Sequence, residues 1–215
     1  MLLILVMTSS VYASEYNQDT KWKRAGVLSN GIELSIRPMT EGEKADFRLR
    51  EATATANQDK TIKWEKTAVL SNGIEYSTRP MTEEEKVAFN KLREIKETDK
   101  SEIIVTPYSY SWSGNVNVPI ANSAGTNGRQ LGKNFIIAPD NYAYVYVGSL
   151  PSTMPTVNIS AEFTNGMGED WIPNIGGDTV IRINPGSYSN YEMAVKVSTY
   201  ENKSVSAYFK LYTDN

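Results

Sequence analysis

The chain has 215 residues, 40% of them apolar and 22% charged, with a formal net charge of −3. That balance belongs to a globular protein of one or two domains, and it excludes a disordered tail and the basic footprint of a nucleic-acid binder. Cysteine and histidine are both absent, which removes Ser-His-Asp and Cys-His catalysis, thiolate chemistry, disulfides and zinc held by either side chain.

Residues 1–13 read MLLILVMTSSVYA. The apolar run Leu2 to Met7 followed by Val11-Tyr12-Ala13 resembles an export signal with a small-residue cleavage site, although its basic leading segment is missing. The alternative is a buried N-terminal strand. No apolar segment approaches the ~20 residues that span a bilayer, so no transmembrane segment is expected. An exported chain without cysteine fits a bacterial envelope or medium better than a small disulfide-stapled animal domain.

The segment from Lys21 to Phe47 recurs from Lys63 to Phe89 at a constant offset of 42 residues, with 18 of 27 positions identical. Each copy predicts a β-hairpin and a short helix. Ser29-Asn30-Gly31 and Ser71-Asn72-Gly73 supply the positive φ angles of a tight turn. Arg37-Pro38 and Arg79-Pro80 stop the second strand. Thr82 with Glu85 forms a capping box, and Thr40 with Glu43 repeats it, weakened by Gly42. Ala88, Phe89, Leu92 and Ile95 make an apolar helical stripe in the second copy. In the first the helix is expected to break early, at Ala52–Ala56. Two tandem hairpin–helix repeats, 19–57 and 58–98, are therefore expected. Each is too poor in apolar residues to stand alone, and reads as a spacer or as a pair of weak partner-binding modules that gain by avidity.

Composition changes near residue 100. Residues 14–100 hold 16 acidic and 16 basic residues, whereas 101–215 hold 9 and 6, with ten of the 13 tyrosines. The charged stretch Lys96–Lys100 marks the expected boundary. Period-two alternation beyond it, as in Val157-Ile159-Ala161-Phe163 and Val205-Ala207-Phe209-Leu211, predicts about nine antiparallel strands. The fold class is thus mainly β: a C-terminal β-sandwich, jelly-roll or Ig-like, over 101–215, expected to fold without the repeats.

Three places could carry function. Ala143, Val145 and Val147 can face a core, leaving Tyr142, Tyr144 and Tyr146 outside, and Tyr208 and Tyr212 occupy equivalent positions on the last strand. Flat aromatics of this kind stack on sugar rings. The same pattern also suits a cross-strand ladder or a core facing the repeats. Tyr110 and Trp112, alternating with serines, read as core. Glu169, Asp170 and Asp178, in two glycine-rich loops, could supply oxygens to calcium, and no other cofactor is expected. No spacing of carboxylates selects a hydrolytic pair. The expected function is that of an exported, non-catalytic protein binding a cell-surface polymer, a glycan among them, or a protein partner. The alternative is a secreted toxin or antagonist acting on a target-cell surface.

Overall fold

The structure, a computed structural model, describes residues 23–27, 33–36, 39–98, 104–106, 109–121, 128–164, 169–186 and 191–214. The signal-like segment 1–13, the turn at Ser29–Gly31 and the last two residues of the charged stretch, 99 and 100, lie outside them. The chain is mainly β, with antiparallel sheets and no barrel. Its elements run β1 (Lys23–Val27), β2 (Glu33–Ile36), α1 (Glu41–Gln58), β3 (Glu65–Val69), β4 (Glu75–Pro80) and α2 (Glu83–Thr98). Then follow β5 (Ile104–Thr106), β6 (Ser109–Val118), β7 (Arg129–Gln130), β8 (Phe135–Ile136), β9 (Ala143–Val147) and β10 (Thr156–Phe163). The chain closes with β11 (Glu169–Gly176), β12 (Thr179–Asn184), β13 (Glu192–Ser198) and β14 (Val205–Thr213).

Two sheets share one apolar core. The larger has seven strands in the order β3-β4-β12-β9-β14-β6-β5. The smaller runs β11-β10-β13-β7, with β8 also paired to β13. Val145, Val147, Ile181, Phe209 and Leu211 from the first pack against Ile159, Phe163, Val195 and Val197 from the second. Tyr110 belongs to this core and stacks on Phe135 at 5.2 Å between ring centres, with Trp112 packed at its margin.

The order of the larger sheet corrects the expected boundary near residue 100. β4 is hydrogen-bonded to β12 from Thr179↔Pro80 to Asn184↔Glu75, so the hairpin β3–β4 is part of the sheet that the C-terminal strands build. Its tip reaches the other sheet as well. The Asn72 side chain donates to the Ala161 carbonyl (2.9 Å), and the Ser71 N–H donates to Asp170 Oδ2 (2.6 Å). Gly73, at φ +84°, supplies the left-handed turn that the Asn-Gly pair predicts. β1 and β2 pair only with each other among the described residues.

Both helices begin as the capping boxes require. Thr40 Oγ1 accepts from the Glu43 N–H and Glu43 accepts from the Thr40 N–H. Thr82 and Glu85 do the same. The expected early break in the first helix does not occur: α1 has 18 residues and α2 has 16. Ala52, Ala54 and Ala56 are strong helix formers, and Thr53 returns its hydroxyl to the Leu49 carbonyl at 2.9 Å.

Candidate functional site

β9 and β14 are buried on both faces. Their aliphatic residues enter the shared core. Their tyrosines enter a second core formed with α1 and α2, where Leu49, Phe89 and Leu92 cover Tyr144, Tyr146, Tyr208 and Tyr212. The reading of these four tyrosines as an outward platform is corrected accordingly: α1 and α2 roof that face of the sheet. Tyr142, at the start of the row, is half-buried.

The layer is aromatic and ionic at once. Tyr212 stacks on Tyr144 at 5.1 Å and on Tyr146 at 6.0 Å, while Phe89 from α2 meets Tyr208 edge-on at 5.3 Å. Tyr146 shares a short hydrogen bond with Thr53 of α1. Asn57 Nδ2 donates to the Tyr144 hydroxyl at 3.1 Å, and that hydroxyl lies 3.3 Å from Asp214. Burial pushes the Tyr146 and Tyr144 hydroxyls far above the ordinary phenol range, with neighbouring negative charge adding to it. Tyr212 shifts the same way for the same first reason.

Two ion pairs tie the helices to the sheet. Arg79, at the end of β4, donates from Nη1 to Glu85 Oε2 (2.5 Å) and from Nη2 to Oε1 (2.7 Å). The two side chains are 1% and 0% exposed. Burial alone would lower the Arg79 pKa, but the bidentate carboxylate more than offsets it and leaves it raised. Trp64 covers the guanidinium at 4.8 Å and also takes Arg182 on its ring at 4.5 Å. The second pair is Lys210 with Asp46 of α1, with Ser111 Oγ beside them. Burial pushes the Asp46 carboxyl up, but Lys210 and Arg50 together hold it below its usual value.

The sequence placed Arg79 at a strand end and Glu85 in a capping box but assigned neither, nor Asp46 or Lys210, to an ion pair. A signal for Lys210 was present: it occupies the same strand face as Tyr208 and Tyr212, where a charge amid aromatics needs a partner. For Arg79 and Glu85 the signal is the Arg-Pro-Met-Thr run that leads into a capping glutamate, identical in both copies.

Asp170 and Asp178, two of the three acidic residues considered for calcium, do not converge. Asp170 and Asp178 stand at opposite ends of the eight-residue β11, on the order of 25 Å apart at ~3.3 Å per residue. Asp170 is engaged by the Ser71 and Trp171 N–H groups, and Asp178 by Ser149 Oγ at 2.9 Å. Burial raises the Asp170 carboxyl, but the Ser71 contacts leave it below its ordinary value. The Glu169 side chain lies outside the described residues, though its backbone opens β11 opposite Glu162. Among the described residues no three acidic side chains group as metal ligands, and no helix is long and apolar enough to cross a membrane.

Between α1 and α2 lies a groove of about 790 Å³, lined by Ala45, Ala52 and Ala88 together with Arg48, Lys91 and the acidic Glu83, Glu84 and Glu94. Val87 on its lip is 70% exposed. Comparison with protein families, with curated proteins and with solved structures finds no match to this chain.

The arrangement packs the chain on itself: β4 pairs with β12, and α1 and α2 cover the aromatic face of the sheet. A strand is added to a sheet edge through its backbone, and the helix that follows is seated on an aromatic layer and locked by a buried bidentate ion pair.

Proposed function

We propose that this is an exported, non-catalytic binding protein that acts at a bacterial envelope or outside the cell, through polypeptide contacts. The two sheets sharing one core read as a sandwich of jelly-roll or Ig-like type, and the duplicated segments as two tandem hairpin–helix repeats. One observation carries the choice of partner class. The tyrosine row that would have stacked on a glycan is covered by α1 and α2, which supports a protein partner over a sugar. The signal-like start and the cysteine-free composition support the compartment.

Export is tested by intact-mass analysis of the culture medium, where a chain beginning at Ser14 is expected. Full-length protein confined to the cytosol would refute it. Partner class is tested by retention of the labelled protein on whole cells. Retention lost after protease treatment of the cells and kept after periodate oxidation supports a protein partner. The reverse pattern restores a glycan, and lysis or growth arrest in place of retention would point to the toxin alternative.

A further inference from the structure

Among the described residues, the second duplicated segment contributes nine buried ones between positions 63 and 95. Seven of the nine recur 42 positions earlier, Arg37, Met39, Glu43 and Phe47 among them. Only Tyr76, which becomes Leu34, and Leu92, which becomes Arg50, differ. Across the 27 aligned positions the segments differ at nine, and of the seven of these whose burial is described only Tyr76 is buried. Among the described residues, Glu65, Glu84 and Val87 at differing positions are exposed and Ala68, Thr78 and Ala88 are half-buried, while most of what the second copy buries is kept.

The first copy does not use that set in the same way. α1 covers the sheet with Ala45, Leu49, Thr53 and Ala56. The counterparts of the α2 residues Glu85 and Phe89 are Glu43 and Phe47, two residues off that stripe. At about 100° per residue this places them ~200° around the helix. Both are half-buried, whereas Glu85 and Phe89 are fully buried. β2, the counterpart of β4, has β1 as its partner and is not part of the seven-stranded sheet.

We propose that residues 21–50 are a second ligand for the seat that residues 63–95 occupy, and that one copy of the chain offers this segment to the β12 edge of another copy. In the exchanged state β2 adds to β12 in the register of β4, with Glu33 opposite Asn184, and Glu43 and Phe47 take the places of Glu85 and Phe89. The resident segment holds an advantage through effective concentration, and the donor gives up the α1 contacts on its own sheet. Exchange therefore depends on protein concentration and on opening of the resident hairpin. A contact of this kind, in which different surfaces of the two copies meet, closes if reciprocal and otherwise propagates. The inference is independent of export and of the partner proposed above, so its failure leaves that reading standing.

The absence of cysteine from the chain makes the test direct. Full-length Glu33→Cys is mixed with full-length Asn184→Cys and bridged by a short bis-maleimide. Facing residues on antiparallel strands lie ~5 Å apart at Cβ, within reach of the reagent. Glu75→Cys with Asn184→Cys in one chain, which follows the observed register, is the positive control for the chemistry. A covalent heterodimer is expected, its yield rising about tenfold when the acceptor also carries Glu85→Gln or Leu92→Ala to loosen the resident segment. A heterodimer formed equally well when Lys203→Cys, on the turn before β14, replaces Asn184→Cys would overturn the proposal. So would its absence from both loosened acceptors and from the otherwise unmodified one, while the control pair closes.

Discussion

Replacing Glu85 by glutamine tests the central contact at almost constant shape. Glutamine keeps an oxygen for the Thr82 N–H, which Glu85 now satisfies at 2.9 Å, so the helix cap survives. It removes the negative charge facing Arg79 in a site where the two side chains are 1% and 0% exposed. With charge centres about 4 Å apart and an effective dielectric of about 20, the lost attraction is about 4 kcal/mol. That agrees with the ~3–5 kcal/mol typical of breaking one side of a buried pair. For a chain of this size, where each kcal/mol shifts Tm by ~2–4 °C, the expected fall is on the order of 10 °C. Denaturant titration followed by tryptophan fluorescence reads it, Trp64 being the one of the four tryptophans that lies against the Arg79 guanidinium. The double variant Arg79→Met, Glu85→Leu replaces the pair with apolar groups of similar size and should recover most of the loss, since a buried pair contributes little net stability over a well-packed apolar substitute. A Glu85→Gln variant within about 1 kcal/mol of the parent would refute the view that this pair locks the second segment to the sheet.

Tyr144→Ala should lose about 3–5 kcal/mol of stability, as buried aromatics do, measured by the same titration; a shift within about 0.5 kcal/mol would return Tyr144 to the surface. Residues 101–215 expressed alone should be insoluble or molten, because the β12 edge and the tyrosine face would both be uncovered; a cooperative melt would refute the shared-sheet description. The Asp46 carboxyl is held below its unfolded value, so its contribution is present above about pH 4 and is lost as pH falls through the folded value. Asp46→Asn should therefore flatten the acid limb of the stability–pH curve. Tyr144, Tyr146 and Tyr212 are raised, so their contribution is present below about pH 10 and is lost as pH rises through their folded values. Phenolate absorbance should show these tyrosines ionising only together with alkaline unfolding.

Period-two alternation was a sound guide to where strands run, and β9, β10 and β14 lie where it placed them. It separates two faces of a strand but does not say which face meets water. On β9 the choice between Tyr144 as surface and Tyr144 as core depended on whether a helix layer existed above it. The sparse apolar residues of the first two segments gave little sign of one, because α1 covers the sheet with alanines, a leucine and a threonine. β11 was hidden for another reason. Gly168, Glu169, Asp170, Pro173 and Asn174 read as loop composition, yet β11 is the edge of the smaller sheet, where proline is tolerated, and the register shift between Val157 and Ile159 absorbs its irregularity. Arg79 and Glu85 are six residues apart with a proline between them. Only the strand–turn–helix geometry turns that separation into a contact.

The pairing of β4 with β12 joins residues 99 to 109 positions apart, counting from Pro80 with Thr179 to Glu75 with Asn184. The hairpin is made early in synthesis and its dock is made late. At ~5–20 residues per second a ribosome needs ~5–20 s to cover that gap. Local hairpins close in microseconds, so both hairpins can form while the strands that will receive one of them do not yet exist. When β12 emerges, two related hairpins from the same chain compete for it. The one nearer in sequence has the shorter loop to close, which gives a kinetic reason for the second segment, and not the first, to be found in the seat.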